Sequence, residues 1–204
     1  MKFILLGTQR SGSHLMRRYI RSHSNLECLT AWNWINPKPS SVFDVYKNMK
    51  FNTGVTILGY ELGVENYPLV ILLRKNKFEQ ALSHCLMNKG KKTQRHYVDG
   101  NQKELNEVSI NVDRFKEVYT QVKKQTENIL NKTKDTNRIL FWYEDIIPYN
   151  QTGWTAWMPN KESAKLCKFL NVDWCRLSAK SKKIGQYDKI INYKELYESC
   201  NITE

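Results

Sequence analysis

Several things are scarce or missing in this 204-residue chain, and each narrows what it can be. None of its five cysteines (Cys28, Cys85, Cys167, Cys175 and Cys200) forms C-x-x-C, and no His/Cys cluster has metal-ligand spacing. That excludes the common zinc and dithiol motifs, and an odd, unpatterned set of thiols suits a reducing, cytoplasmic compartment. No apolar run approaches the ~20 residues of a membrane span. The opening Met-Lys-Phe-Ile-Leu-Leu-Gly is too short for a secretion signal, and charged Arg10 soon follows. Three N-x-T sequons, at Asn131, Asn150 and Asn201, are therefore read as chance in an Asn-rich chain. There is no internal repeat, no polybasic tail and no linker, so a single domain spanning residues 1–204 is expected.

Acidic side chains are few beside basic ones. Against 32 Lys and Arg stand 20 Asp and Glu, a net charge of +12. Such an excess favours anionic partners: nucleic acid, an acidic surface or a polyphosphorylated cofactor. The bland alternative is a solvated basic surface. No helix-turn-helix, zinc finger or RNA-binding aromatic motif is present, so no specific nucleic-acid partner is expected.

What the chain does contain is an alternation of apolar runs and amphipathic stretches. Phe3–Gly7, Leu69–Leu73 and Arg138–Tyr143 read as strands, with Leu26–Leu29 and Thr56–Leu62 as further candidates. Leu69–Leu73 is continuously apolar, as a strand covered on both faces should be. Helices are predicted over Ser13–Ser22, Val42–Met49, Phe78–Met87, Val112–Thr133, Ser163–Leu170 and within Lys189–Cys200. Trp32–Ser41 and Lys89–Glu107 read as irregular. Strands alternating with helices predict an α/β fold with a central, mostly parallel sheet and helices on both sides.

Between the first strand and the first helix lies Gly7-Thr8-Gln9-Arg10-Ser11-Gly12-Ser13-His14. A strand–loop–helix junction points backbone N–H groups and a helix N-terminus at one place, which favours an anion. Gly12 lets the backbone come close to a phosphate, Ser11 and Ser13 add hydroxyls, and Arg10 adds a charged fork. Gly7 and Gly12 have the spacing of the nucleoside-triphosphate loop G-x-x-x-x-G-K-[ST]. Ser13 and His14, however, replace the Lys and Ser/Thr that grip phosphates and Mg²⁺, so no metal is expected. A second basic junction follows the buried strand: Arg74, with Ser83 nine residues on, can share one phosphate through a guanidinium and a hydroxyl.

The loop resembles that of the PAPS-dependent sulfotransferases, where a basic residue and Ser/Thr-Gly-Ser/Thr follow the first strand. Here that is Arg10-Ser11-Gly12-Ser13. Arg74 with Glu79-Gln80-Ala81-Leu82-Ser83 is similar to the family's 3′-phosphate element, closest to the bacterial branch that includes trehalose sulfotransferases. Phe141-Trp-Tyr-Glu-Asp-Ile146 resembles the family's strand ending in Tyr-Glu-Asp-Leu. Lys180–Lys183 with Ile191-Asn-Tyr-Lys-Glu-Leu196 resembles its C-terminal basic loop. The resemblance implies a single-domain, P-loop-like three-layer fold. It also implies transfer of a sulfuryl group from 3′-phosphoadenosine 5′-phosphosulfate (PAPS), leaving the bisphosphate PAP. On this basis Gln9, Arg10, Ser11, Gly12, Ser13 and His14 would hold the 5′-phosphosulfate, and Arg10 would stabilise the leaving oxygen. Arg74 and Ser83 would hold the 3′-phosphate, while Lys182 and Lys183 would close over the nucleotide. The acceptor's proton needs a base. Glu27, Glu61, His14 and His84 are the candidates, Glu27 being early in register and Glu61 standing where relatives often carry Lys. Glu144 and Asp145 are expected to position a strand end. Trp32, Trp34, Trp154 and Trp157 could line a pocket for a carbohydrate or other small-molecule acceptor. Oligomeric state is not legible. The rival readings are a P-loop nucleotide kinase, with Asp145 on Mg²⁺, and a non-catalytic binder of anionic ligands.

Overall fold

The computed structural model describes residues 1–31, 40–89, 107–147, 155–180 and 190–200. Five strands, β1 (Phe3–Gly7), β2 (Glu27–Ala31), β3 (Thr53–Leu58), β4 (Leu69–Leu73) and β5 (Arg138–Trp142), form one sheet in the order β2-β3-β1-β4-β5. Every neighbouring pair is parallel. β1 lies at the centre with Gly7 beside Leu58 of β3 and Leu72 of β4, so the loop after Gly7 emerges between two strand ends. Parallel strands need crossovers, and these are the helices α1 (Ser13–Arg21), α2 (Val42–Asn48), α3 (Lys77–Lys89) and α4 (Val112–Lys132). After β5 come the single turn α5 (Tyr143–Ile146) and the helices α6 (Asn160–Leu170) and α7 (Tyr193–Ser199).

The period-2 alternation of strand side chains divides the core into two layers. Phe3, Leu5, Val70, Leu72 and Phe141 face α1 and α6 residues such as Met16, Tyr19 and Leu166. Ile4, Leu6, Ile57, Ile71 and Leu73 face the other way, onto Val42, Val64 and Ile129. All five residues of β1 and of β4 are buried, which is why both read as unbroken apolar runs. Each such aliphatic side chain contributes about 1.5–3 kcal/mol by burial. A third cluster joins α3, α4 and α7 through Phe78, Leu82, Phe115, Val118 and Leu196.

Two features differ from the sequence expectation, while the last helix falls within the predicted Lys189–Cys200. The strand predicted at Thr56–Leu62 runs over Thr53–Leu58 instead: Gly54 and Val55 continue the ladder beside Phe3 and Ile4, and Gly59, at φ +105°, turns the chain away. Glu61 therefore sits in a turn rather than a strand. Thr155–Trp157 (β6) pairs antiparallel with Ser178–Lys180 (β7), two strands of three residues too short for a periodic signal. The C-terminal helix begins at Tyr193 because Asn192 is occupied just before it. Its side chain accepts from Ile110 N–H (3.0 Å) and donates to Ile110 C=O (2.8 Å), tying this segment to the start of α4. Most of Trp32–Ser41 and Lys89–Glu107, together with Trp154, Lys182 and Lys183, lies outside the described residues. Among the described residues, no helix is long and apolar enough to cross a membrane.

Candidate functional site

The loop from Thr8 to Gly12 begins where β1 ends, at the C-terminal edge of the sheet. In an open parallel sheet that edge, at the strand where the order reverses, is the usual ligand crevice. Two residues adopt left-handed backbone there, Arg10 (φ 62°) and Gly12 (φ 91°). For arginine that conformation costs about 1–2 kcal/mol, strain of the kind functional loops retain. Gly12 admits no side chain. A Cβ there would lie 2.2 Å from Cδ2 of Tyr143. Gly7 is equally constrained, since a Cβ would meet Leu72 O and Ser11 Oγ, each at 2.8 Å. Ser11 Oγ is buried with no hydrogen-bond partner among the described residues, and Ser13, also buried, opens α1.

Helix α3 holds this loop from the side. Gln80 is fully buried, and its Nε2 donates to Thr8 Oγ1 (2.7 Å) and to the Gln9 carbonyl (2.6 Å). One turn later Ser83 Oγ accepts from Arg10 Nε at 2.9 Å. The two elements that the sequence marked as separate phosphate sites thus touch through side chains 73 residues apart.

Arg74, at the end of β4, is buried and held differently. It is ion-paired with Glu79 through its terminal nitrogen, and its Nε lies 3.5 Å from Glu144 Oε1. The Glu144 carboxylate also accepts from the backbone N–H of Lys75 (2.8 Å) and Asn76 (3.1 Å), fixing the β4–α3 turn to the end of β5. Its neighbour Asp145 pairs with Lys75 at 2.6 Å. The Arg74 guanidinium carbon sits 4.9 Å from the centroid of Tyr143, the ring that closes on Gly12. Tyr143 therefore touches both junctions. Lys77 donates to the Arg74 carbonyl, and burial is the main cause that pushes its pKa down to about 8.

No protein-family model matches this sequence, and no curated protein matches it. Solved structures do. Mouse sulfotransferase SULT7A1, crystallised as a complex with PAP, superimposes with a TM-score of 0.54 at 13% identity, over 98% of this chain and 62% of that one. A sulfotransferase from Alicyclobacillus acidocaldarius superimposes with a TM-score of 0.53 at 12% identity, over 99% of this chain and 96% of that one. The chain has the sulfotransferase fold. At such identities the likeness concerns architecture, and the site must be judged on this chain's own residues. The chain spans about three fifths of the mouse protein's length.

Set on the sulfotransferase fold, the residues singled out in the sequence divide into groups. Gln9, Arg10, Ser11, Gly12, Ser13, His14 and Ser83 gather at the β1 loop. His14 is exposed at the start of α1, with Arg17 Nη2 3.5 Å from its Nδ1. Arg74 is linked to the same loop through Tyr143, and among the described residues its guanidinium meets the carboxylates of Glu79 and Glu144. Glu61 stands three residues past Leu58, on the loop's side of the sheet, where Gly59 N–H donates to Gly7 C=O at 2.7 Å. Glu27 does not join them. It opens β2, paired with Thr53 at the start of β3, so it lies at the opposite end of the parallel strands. His84 follows Ser83 on α3. Trp157 lies on β6 and is exposed. Gln80 and Tyr143, which bind the loop to its supports, were visible in the sequence only as members of matched segments. Among the described residues no group of His, Cys, Asp and Glu could hold a metal ion.

Proposed function

We propose that this chain is a sulfotransferase that moves a sulfuryl group from PAPS to an acceptor hydroxyl without a metal. The observation that carries the proposal is the hydrogen bond from Arg10 to Ser83, which brings together in one basic site two elements suited to the two phosphorylated ends of such a nucleotide. The buried Ser11 Oγ, without a hydrogen-bond partner among the described residues, fits a phosphate oxygen arriving at the loop, and Gly12 leaves room for Tyr143 to close on that loop. The fold shared with a sulfotransferase solved in complex with PAP adds support.

PAPS supplies an activated sulfuryl group joined to a phosphate leaving group. This chain's residues then have three tasks. Ser11, Ser13 and the loop amides hold the phosphosulfate end, and Ser83 with Arg74 orients the 3′-phosphate, Arg74 after yielding part of its contact with Glu79 and Glu144. Arg10 stabilises the negative charge that grows on the leaving oxygen, a preorganised interaction stronger in the transition state than before it. His14, exposed at the end of the loop, takes the acceptor's proton, and Glu61 is the second candidate for that role on this edge of the sheet. A carbohydrate or other small hydroxyl compound is the proposed acceptor.

Calorimetric titration with PAP tests the proposal. The protein should bind PAP in a simple, metal-free buffer, and Arg10→Ala should weaken binding at least about tenfold, the loss of one charge-assisted contact. Its melting should change little, since the Arg10–Ser83 bond contributes only about 1 kcal/mol. Undiminished affinity in that variant, or Mg²⁺-dependent ATP turnover without PAP binding, would overturn it.

A further inference from the structure

A buried polar atom without a partner calls for a reason. Ser11 Oγ has one in the loop already described. Two more such atoms lie on α3 beside the loop, one helical turn apart: Gln80 Oε1, on the side chain that already donates to Thr8 and Gln9, and His84 Nδ1, which is sealed from solvent and has no hydrogen-bond partner among the described residues. The surroundings of His84 are basic. Ser83, the preceding residue, accepts from Arg10 and so brings that guanidinium to this turn of α3. Helix α4 packs along α3, and Arg114 from its first turn is the second cation that acts on the imidazole. On α3 itself the neighbours are Ser83 and the buried thiol of Cys85, while α7 places Tyr193 and Tyr197 against Phe78, nearly two turns away. Asp113 and Glu117 of α4 are exposed, and Glu117 pairs with Arg114 at 2.8 Å. No acidic side chain among the described residues acts on His84. Burial first, then Arg114 and Arg10, hold its pKa below the ordinary imidazole value, so the ring is neutral at pH 7.

An oxyanion arriving beside Arg10 reverses that balance. Negative charge favours the imidazolium, and a protonated ring has a donor on each nitrogen. We propose that His84 is a further phosphate ligand of the donor nucleotide, taking up a proton from solvent as the phosphate arrives and returning it as the product leaves. The inference rests on the PAPS assignment above and adds a residue and a proton to it. Affinity for PAP should then rise as pH falls, because the complex binds a proton that the free protein does not.

The test is calorimetry of PAP binding in two buffers of different ionisation enthalpy, for the wild-type protein and His84→Gln. The wild type should take up more protons per PAP than the variant, by a difference approaching one. Its affinity should improve between pH 8 and pH 6 relative to the variant, by at most about tenfold for each unit that binding raises the His84 pKa. PAP's own phosphates titrate alike with both proteins and cancel in the difference. A pH titration of the wild-type His84 ring by NMR gives the same answer should the variant fold poorly: PAP must raise its pKa. Equal proton counts, or an unmoved ring pKa, overturn the role of His84 and leave the PAPS assignment standing. A wild-type protein that does not bind PAP at any pH overturns both.

Discussion

At the β1–α1 junction the guanidinium of Arg10 reaches across to a hydroxyl on another helix; at the β4–α3 junction that of Arg74 is clasped by Glu79 and Glu144 beside it. Both junctions have a strand end, an arginine and a following helix, and both border the central strand pair. They differ in what satisfies the charge. Arg10 sits on strained backbone and donates to a neutral partner, in a loop whose Ser11 hydroxyl is orphaned. Arg74 is buried and neutralised locally, and Glu144 serves the turn's amides at the same time. A buried ion pair stabilises little in itself, but removing one partner leaves the other's charge uncompensated. The second junction thus holds two carboxylates on its arginine that must yield in part to a ligand, whereas the contact described at the first is with a hydroxyl, beside a buried Ser11 Oγ that has no partner among the described residues.

The largest effect expected from this contrast is on folding. Arg74→Ala should lose about 3 kcal/mol of stability in urea denaturation, the low end for breaking a buried pair, because both carboxylates keep some access to water. Adding Glu79→Gln should restore part of that loss. Arg10→Ala, measured the same way, should lose about 1 kcal/mol. Equal losses at the two arginines would break the comparison.

A smaller effect separates backbone strain from crowding within the first junction. Gly12→Ala should lose about 2–3 kcal/mol, from the left-handed backbone and from overlap with Tyr143. Gly59→Ala carries a comparable positive φ with nothing within 4 Å of its Cβ, so it should lose only about 1 kcal/mol. If the two variants melt alike, Tyr143 does not brace the loop.

Much of this architecture was legible because its signals are local. The apolar runs of β1 and β4, the spacing of Leu15, Met16, Tyr19 and Ile20 on α1, and the glycines at 7 and 12 each depend on a few consecutive residues. The sheet's three-residue companions β6 and β7 depend on pairing across the chain and left no such trace. The site divides in the same way. The loop's residues were readable from Arg10-Ser11-Gly12-Ser13. That Ser83 would meet Arg10, and that Glu79 would turn back five residues to Arg74, follows from side-chain reach across a fold and not from spacing. Glu27 shows the converse error: a carboxylate at a plausible distance in sequence lies at the far end of a parallel strand, because register decides the edge.

The smallest effect concerns Lys77, and it sharpens how the second junction is balanced. Its ammonium donates to the Arg74 carbonyl and lies 5.5 Å from the centroid of Trp142. Burial lowers its pKa from 10.5 to about 8; Glu144 opposes the shift and Arg74 adds to it. Between those two values the unfolded chain binds more protons than the folded one, so stability contributed at this site must rise with pH through that window and level off above it. Lys77→Met removes the titration. The wild type should therefore gain stability relative to Lys77→Met as pH climbs from 8 towards 10.5, other groups cancelling in the difference. A flat difference would mean that Glu144 fully offsets burial and Arg74, and that the junction's charges are balanced around Lys77 as closely as they are around Arg74.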